Sequence, residues 1–202
     1  MEQNVELWLK NPKKLFWINL FTNLSALTSI ITLFYLKRGL TYTEIAFLAT
    51  TISLSIILLE VPTGILSDKI GRKKTIIFGI VSLLGHGVIY LFANNFIFFM
   101  LAFILFAGSV SLFSGCMTAF IYDSLKIAKK EELAKKYLGH FRSAPLLAAI
   151  IVPPIASTLA QDLLNWQFLI IIFINILGYL LALLIALTLH EPKDGTPRKQ
   201  KS

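Results

Sequence analysis

From Thr75 to Tyr122 the chain runs 48 residues without one Asp, Glu, Lys or Arg. A helix needs about 20 apolar residues to cross the hydrocarbon core of a bilayer. The stretch is therefore long enough for two crossings, and Ala93-Asn94-Asn95 is the polar break near its middle. An open strand in lipid leaves its backbone groups unpaired, and these residues lack the alternation of a barrel strand. Helices are the remaining solution.

The rest of the chain follows the same pattern. Leu15 to Leu36 is uncharged over 22 residues. That exceeds the roughly 7–15 residues of a signal-peptide core, so it is expected to remain as a span. Six spans are predicted at about 15–36, 45–67, 75–93, 96–122, 143–161 and 165–189. The expected fold is an all-α integral membrane bundle over residues 1–190, with 191–202 as a disordered cytoplasmic tail. Only 15% of the residues are charged and 56% are hydrophobic, whereas soluble domains carry roughly a quarter charged residues.

The net charge of +8 would suggest nucleic acid in a soluble protein. Here the cations sit between apolar runs, so no nucleic-acid partner is expected and the lipid bilayer is the partner. Seventeen Lys and Arg fall on the side of the termini, against Lys37 and Arg38 on the other. The positive-inside rule then predicts a multi-pass protein of the plasma (inner) membrane with both termini cytoplasmic. Lys126 to Lys136 reads as a short amphipathic connector at that surface. The single cysteine, Cys116, lies in an apolar run and reads as a packing residue. Neither a metal nor a cofactor is expected.

The loop between spans 2 and 3 carries the most specific signal: Glu60-Val-Pro-Thr-Gly64-Ile-Leu66-Ser-Asp68-Lys69-Ile-Gly71-Arg72-Lys73-Lys74. Gly64 removes a side chain where another helix can approach. Asp68 closes span 2 where a carboxylate can accept bonds from a facing helix N-terminus. Gly71 permits a tight reversal. Gly64, Leu66, Asp68, Lys69, Gly71, Arg72 and Lys73 match motif A of the major facilitator superfamily, which this chain resembles. Phe113 to Leu125, Asn165-Trp166 and His190-Glu191-Pro192 extend the resemblance over most of the chain. It implies one half of that fold, built as a 3+3 inverted repeat, with motif A as a conformational latch and Asp123 facing Arg72. Val61-Pro62 and Val152-Pro153 hint at the repeat. Two departures stand out. No arginine precedes Gly108 in span 4, and Val152 to Ser157 lacks the glycines found in drug antiporters.

Polar groups inside spans are functional candidates by default. Glu60, Gly64 and Asp68 recur every four residues and share a face. Glu60 reads either as a proton-coupling group or as a structural acid. Asn19, Asn23 and Ser29, beside Thr22, Ser25 and Thr32, form a stripe on span 1. Ser111, Ser114, Thr118 and Tyr122 form one on span 4. The resemblance places these spans around a substrate pathway, although small polar residues also serve as packing contacts. His86 reads as a buried, hydrogen-bonded histidine.

The expected function is secondary active transport of a small solute by alternating access. With six spans where the family has two sets of six, the chain reads as a half-transporter needing a second six-helix unit, either itself or a separate chain. The other reading is a truncated fragment without transport activity. An enzyme is not expected: Ser114 lacks a nucleophile-elbow context, and His86 lacks a supporting acid. No phosphate-binding loop is present, so an ion or solute gradient would supply the energy.

Overall fold

The computed structural model describes residues 2–192, and all regular structure among them is helical. The helices are α1 (Glu2–Asn23), α2 (Ile31–Lys37), α3 (Tyr42–Ile70), α4 (Arg72–Phe92), α5 (Phe96–Phe113), α6 (Cys116–Ile127), α7 (Ala134–Leu159) and α8 (Asn165–Leu187). A 3-10 turn, Ala26–Ile30, joins α1 to α2, and another, Glu131–Leu133, precedes α7. Six stretches are long and apolar enough to cross a membrane: α1 with α2, α3, α4, α5 with α6, α7, and α8.

Local chemistry sets the ends. Thr41 and Glu44 form a capping box that starts α3 at Tyr42. Asn95, half of the polar break read from sequence, accepts the Phe98 N–H and opens α5. Before α8, Gln167 Oε1 accepts the Leu164 N–H at 2.9 Å, while its Nε2 donates to Asp162.

The connector differs from expectation. Lys126 belongs to α6, which closes as the Lys130 N–H reaches back to the Leu125 carbonyl while Lys129 adopts φ 53°. That left-handed closure ends the helix. Lys135 and Lys136 already belong to α7, so the basic segment is divided between two spans and forms no separate surface helix.

The C-terminal expectation also changes at its start. Glu191 accepts the N–H groups of Arg72 at 2.9 Å and Lys73 at 2.7 Å. It satisfies two of the orphan donors that open α4 and places a negative charge at the positive end of that helix. The remainder of the expected tail, 193–202, lies outside the described residues.

In the bundle, α3 packs on α5, α6 on α1, and α1 on α7, with α4 and α8 behind them. Two apolar cores stack along the axis. One, around Phe34, Tyr90, Phe99 and Phe168, lies at the end away from the termini; the other, around Ile18, Ile80, Phe120 and Ala186, lies at the terminal end. Lipid is as apolar as these side chains, so close packing and hydrogen bonds hold the bundle together, not water exclusion. Gly178 lets α8 approach α1 so closely that a Cβ there would lie 3.1 Å from the Phe21 carbonyl oxygen.

Spans 1 and 4 are both broken, at Leu24-Ser25 and at Ser114-Gly115, where Gly115 takes φ +67°. A break frees backbone groups that hydrocarbon cannot satisfy. Asn175 of α8, nearly fully buried, meets the first break: its Oδ1 accepts the Ala26 N–H at 3.1 Å, and its Nδ2 donates to Ser25 Oγ at 3.3 Å. Asn175→Leu should therefore cost about 1–3 kcal/mol, read as a lowered SDS-unfolding midpoint of the micelle-solubilised protein. An unchanged midpoint would show that other groups satisfy the break.

Candidate functional site

A cavity of about 660 Å³ opens in the half of the bundle away from the termini, with walls from all six spans. The broken span 1 supplies Thr22, Asn23, Ser25, Thr28, Ser29 and Thr32. The break matters here. The chain passes from α-helix to 3-10 turn, and the tighter winding carries Ser25, Thr28 and Ser29 together toward the cavity; Thr28 donates to Ser25 at 2.9 Å. The far wall is aromatic: Tyr35, His86, Tyr90, Phe103 and Phe106. The Tyr35 and Tyr90 hydroxyls bond each other. No Asp, Glu, Lys or Arg is among the described residues lining this cavity.

His86 is held in one orientation. Its Nδ1 lies 2.9 Å from the Ala102 carbonyl oxygen, and a carbonyl only accepts, so Nδ1 carries the proton. Its ring sits 4.4 Å from that of Tyr90 and 5.4 Å from that of Phe106.

Of the eight pathway candidates, the cavity gathers Asn23 and Ser29. Asn19 instead donates to the Phe141 carbonyl at 2.8 Å, tying α1 to α7. Ser111 is buried and donates to the Ile56 carbonyl at 3.3 Å, tying α5 to α3. Ser114 is exposed at the second break, where Thr118 donates to the Gly115 carbonyl at 3.0 Å. Tyr122 is half-exposed toward the terminal end, and Glu60 is exposed on α3, outside the cavity. Spacing along a helix identifies a shared face; which neighbour that face meets depends on the rotation of the helix in the bundle. Sequence reasoning missed Tyr35, Tyr90, Asn175 and Tyr179 as cavity groups. A hydroxyl or amide inside an otherwise apolar span was the available signal.

Motif A lies at the opposite end. Gly71, at φ 90°, is the one residue between α3 and α4, a backbone conformation that favours glycine. Arg72 Nη1 lies 2.6 Å from Asp123 Oδ2, with the two side chains only 16% and 24% exposed. Glu191 supplies a carboxylate to the α4 N-terminus, and Asp68 lies near the end of α3 at the exposed surface. Leu66 and Lys69 are also exposed. Lys73 and Lys14 donate to the Leu187 and Thr188 carbonyls at 2.8 and 2.6 Å, where a helix C-terminus favours cations. Asn11 and His190 exchange two bonds, at 2.9 and 3.2 Å. These contacts clasp the end of span 6 to spans 1 and 3.

Six apolar spans, two of them broken, around an uncharged, largely apolar cavity with a polar edge from span 1 define a multi-pass membrane protein of the transporter class. The chain belongs to the Major Facilitator Superfamily, whose family model matches residues 16–202. That membership places it among membrane transporters and not among enzymes. It is similar to the Quinolone resistance protein NorA of Staphylococcus aureus, in strains Mu50 / ATCC 700699, N315 and MW2. Each is 23% identical over 177 residues, covering 88% of this chain and 44% of the relative. The chain thus spans less than half the length of the curated relatives it matches.

Proposed function

We propose that the chain moves a small solute across the membrane by alternating access, acting with a second six-helix unit, and that the cavity beside the broken span 1 forms its share of the solute site. That cavity is the observation that carries the reading. Discontinuous helices recur at transporter sites because the break frees backbone and short side chains to face a solute. The packing supports a 3+3 repeat. Exchanging spans 1–3 for 4–6 turns the α3–α5 contact into α1–α7, and α4–α5 into α1–α8; all four are present. The breaks fall in spans 1 and 4, which such an exchange would also relate.

Gly64 supports the second unit. Among the described residues nothing lies within 4 Å of a Cβ built there, although this motif position calls for close approach. Of α3, Leu48 alone is buried, leaving a long apolar face with Glu60 on it. On this reading motif A and the Arg72–Asp123 pair latch the two units, with both termini cytoplasmic. Gly64→Leu should shift the unfolding midpoint of the six-helix unit by no more than about 0.5 kcal/mol and abolish flux. Gly64→Cys should crosslink to the second unit in native membranes. Flux retained by Gly64→Leu would contradict the assigned interface. For orientation, Asn94→Cys should react with an impermeant maleimide added outside intact cells; reaction only after lysis would invert the topology.

Flux itself is testable in everted vesicles, with an uncharged aromatic solute and a quinolone, the compound class in the relatives' name, as the first solutes. Ala149→Trp, on the cavity wall, should abolish whatever flux the unmodified protein supports. Persistent flux would remove the cavity from the pathway.

A further inference from the structure

We propose that the cavity selects an uncharged, ring-bearing solute that donates a hydrogen bond, and that His86 Nε2 receives it. This rests on the reading of the cavity as a solute site and names the chemistry that the site accepts. Three observations carry it. First, no Asp, Glu, Lys or Arg among the described residues lines this chain's share of the site, so this wall offers a net charge no counter-ion. Second, beside the hydroxyls of span 1, which can donate or accept, two groups are committed as acceptors. His86 commits its Nδ1–H to the Ala102 carbonyl, and no partner for Nε2 occurs among the described residues. Asn23 spends its amide donors on the Asn19 backbone and side-chain oxygens, at 2.8 and 3.1 Å, which leaves its own Oδ1 as an acceptor. Third, Tyr90, Phe103 and Phe106 stand 4.4, 6.4 and 5.4 Å from the His86 ring, giving an aromatic wall against which a flat ring packs. A buried acceptor left unmatched is costly, so a solute lacking the donor is rejected even when its shape fits.

A matched series tests this, with the purified full chain in neutral-lipid nanodiscs. The probes share one ring: 1-naphthol, 1-methoxynaphthalene, N,N,N-trimethyl-1-naphthylammonium and naphthalene-1-sulfonate. Naphthol should bind at least about ten-fold more tightly than the other three. His86→Phe should bring naphthol down to the affinity of the ether and leave the ether unchanged, since the ring wall is kept and only the acceptor is lost. Ala149→Trp should weaken all four, and a normal thermal melt of each variant excludes misfolding. Tighter binding of the cation or the sulfonate, or an unchanged naphthol-to-ether ratio in His86→Phe, would overturn the proposal while leaving the cavity a solute site. Binding indifferent to Ala149→Trp would instead overturn the reading of the cavity itself.

Discussion

Gly79→Val should break the seam between α4 and α5 and produce the largest loss of stability of any single substitution considered. A Cβ at Gly79 would sit 2.3 Å from Cε1 and 2.8 Å from Cδ1 of Phe113. No real carbon contact is that short, so the Phe113 ring has to leave its place. Valine adds two methyl groups and is stiff at χ1, so it cannot turn aside. Phe113 is the last residue of α5, next to the break at Ser114-Gly115, and belongs to the shell around the terminal-end core. Displacing it disturbs both the seam and the kink. The expected cost is about 3 kcal/mol, measured as a lowered SDS-unfolding midpoint and a loss of monodisperse protein. Gly64→Val is the internal control, because a Cβ built there has nothing within 4 Å among the described residues. A Gly79→Val/Phe113→Ala double variant should recover much of the loss, since the valine then occupies vacated space. Equal shifts for Gly79→Val and Gly64→Val would show that glycine's effect here is conformational, not steric.

Asp123→Ala should produce the second large effect. Arg72 opens α4, where the helix dipole disfavours a cation, and Asp123 offsets that cost at 2.6 Å. With most of both side chains covered, removing the carboxylate takes a close counter-charge from the guanidinium in a poorly solvated place. The cost should be about 1–3 kcal/mol, below that of a fully buried pair because some water remains. Reversal of the pair, Arg72→Asp with Asp123→Arg, should restore part of the stability: the opposite charges are kept together, while the new carboxylate stands beside Glu191 at the helix N-terminus. If the reversal were as unstable as Asp123→Ala, the pair would owe its value to the rigid fork of arginine at position 72 and not to charge complementarity.

These two sites differ in how far the sequence reveals them. The Arg72–Asp123 contact was legible because motif A fixes the register of the loop and the resemblance supplies its partner. The Gly79–Phe113 contact was not. A glycine in an apolar span gives no sign of which neighbour comes close, and Gly64 and Gly79 look alike until the helices are packed. Asn19 and Asn23 illustrate the same limit. One helical turn apart and chemically identical, they separate in the bundle: Asn19 ties α1 to α7, and Asn23 faces the cavity.

The sequence by itself determined that six apolar helices form, and it placed the starts of α5 and α8; α7 begins at Ala134, nine residues before the expected start, and the breaks in spans 1 and 4 were not foreseen. Transfer of an uncharged run of 20 or so residues into lipid depends on its own composition. The caps at Asn95 and at Thr41 with Glu44 act over three residues. Only the tertiary structure decided what satisfies the groups those spans leave open. Asn175 answers the broken backbone at Ala26 from 149 residues away, and Glu191 caps α4 from 119 residues beyond Arg72. Such pairings rest on the rotation and depth of one helix against another. In lipid those are set by close packing and hydrogen bonds between helices, and no local pattern encodes them.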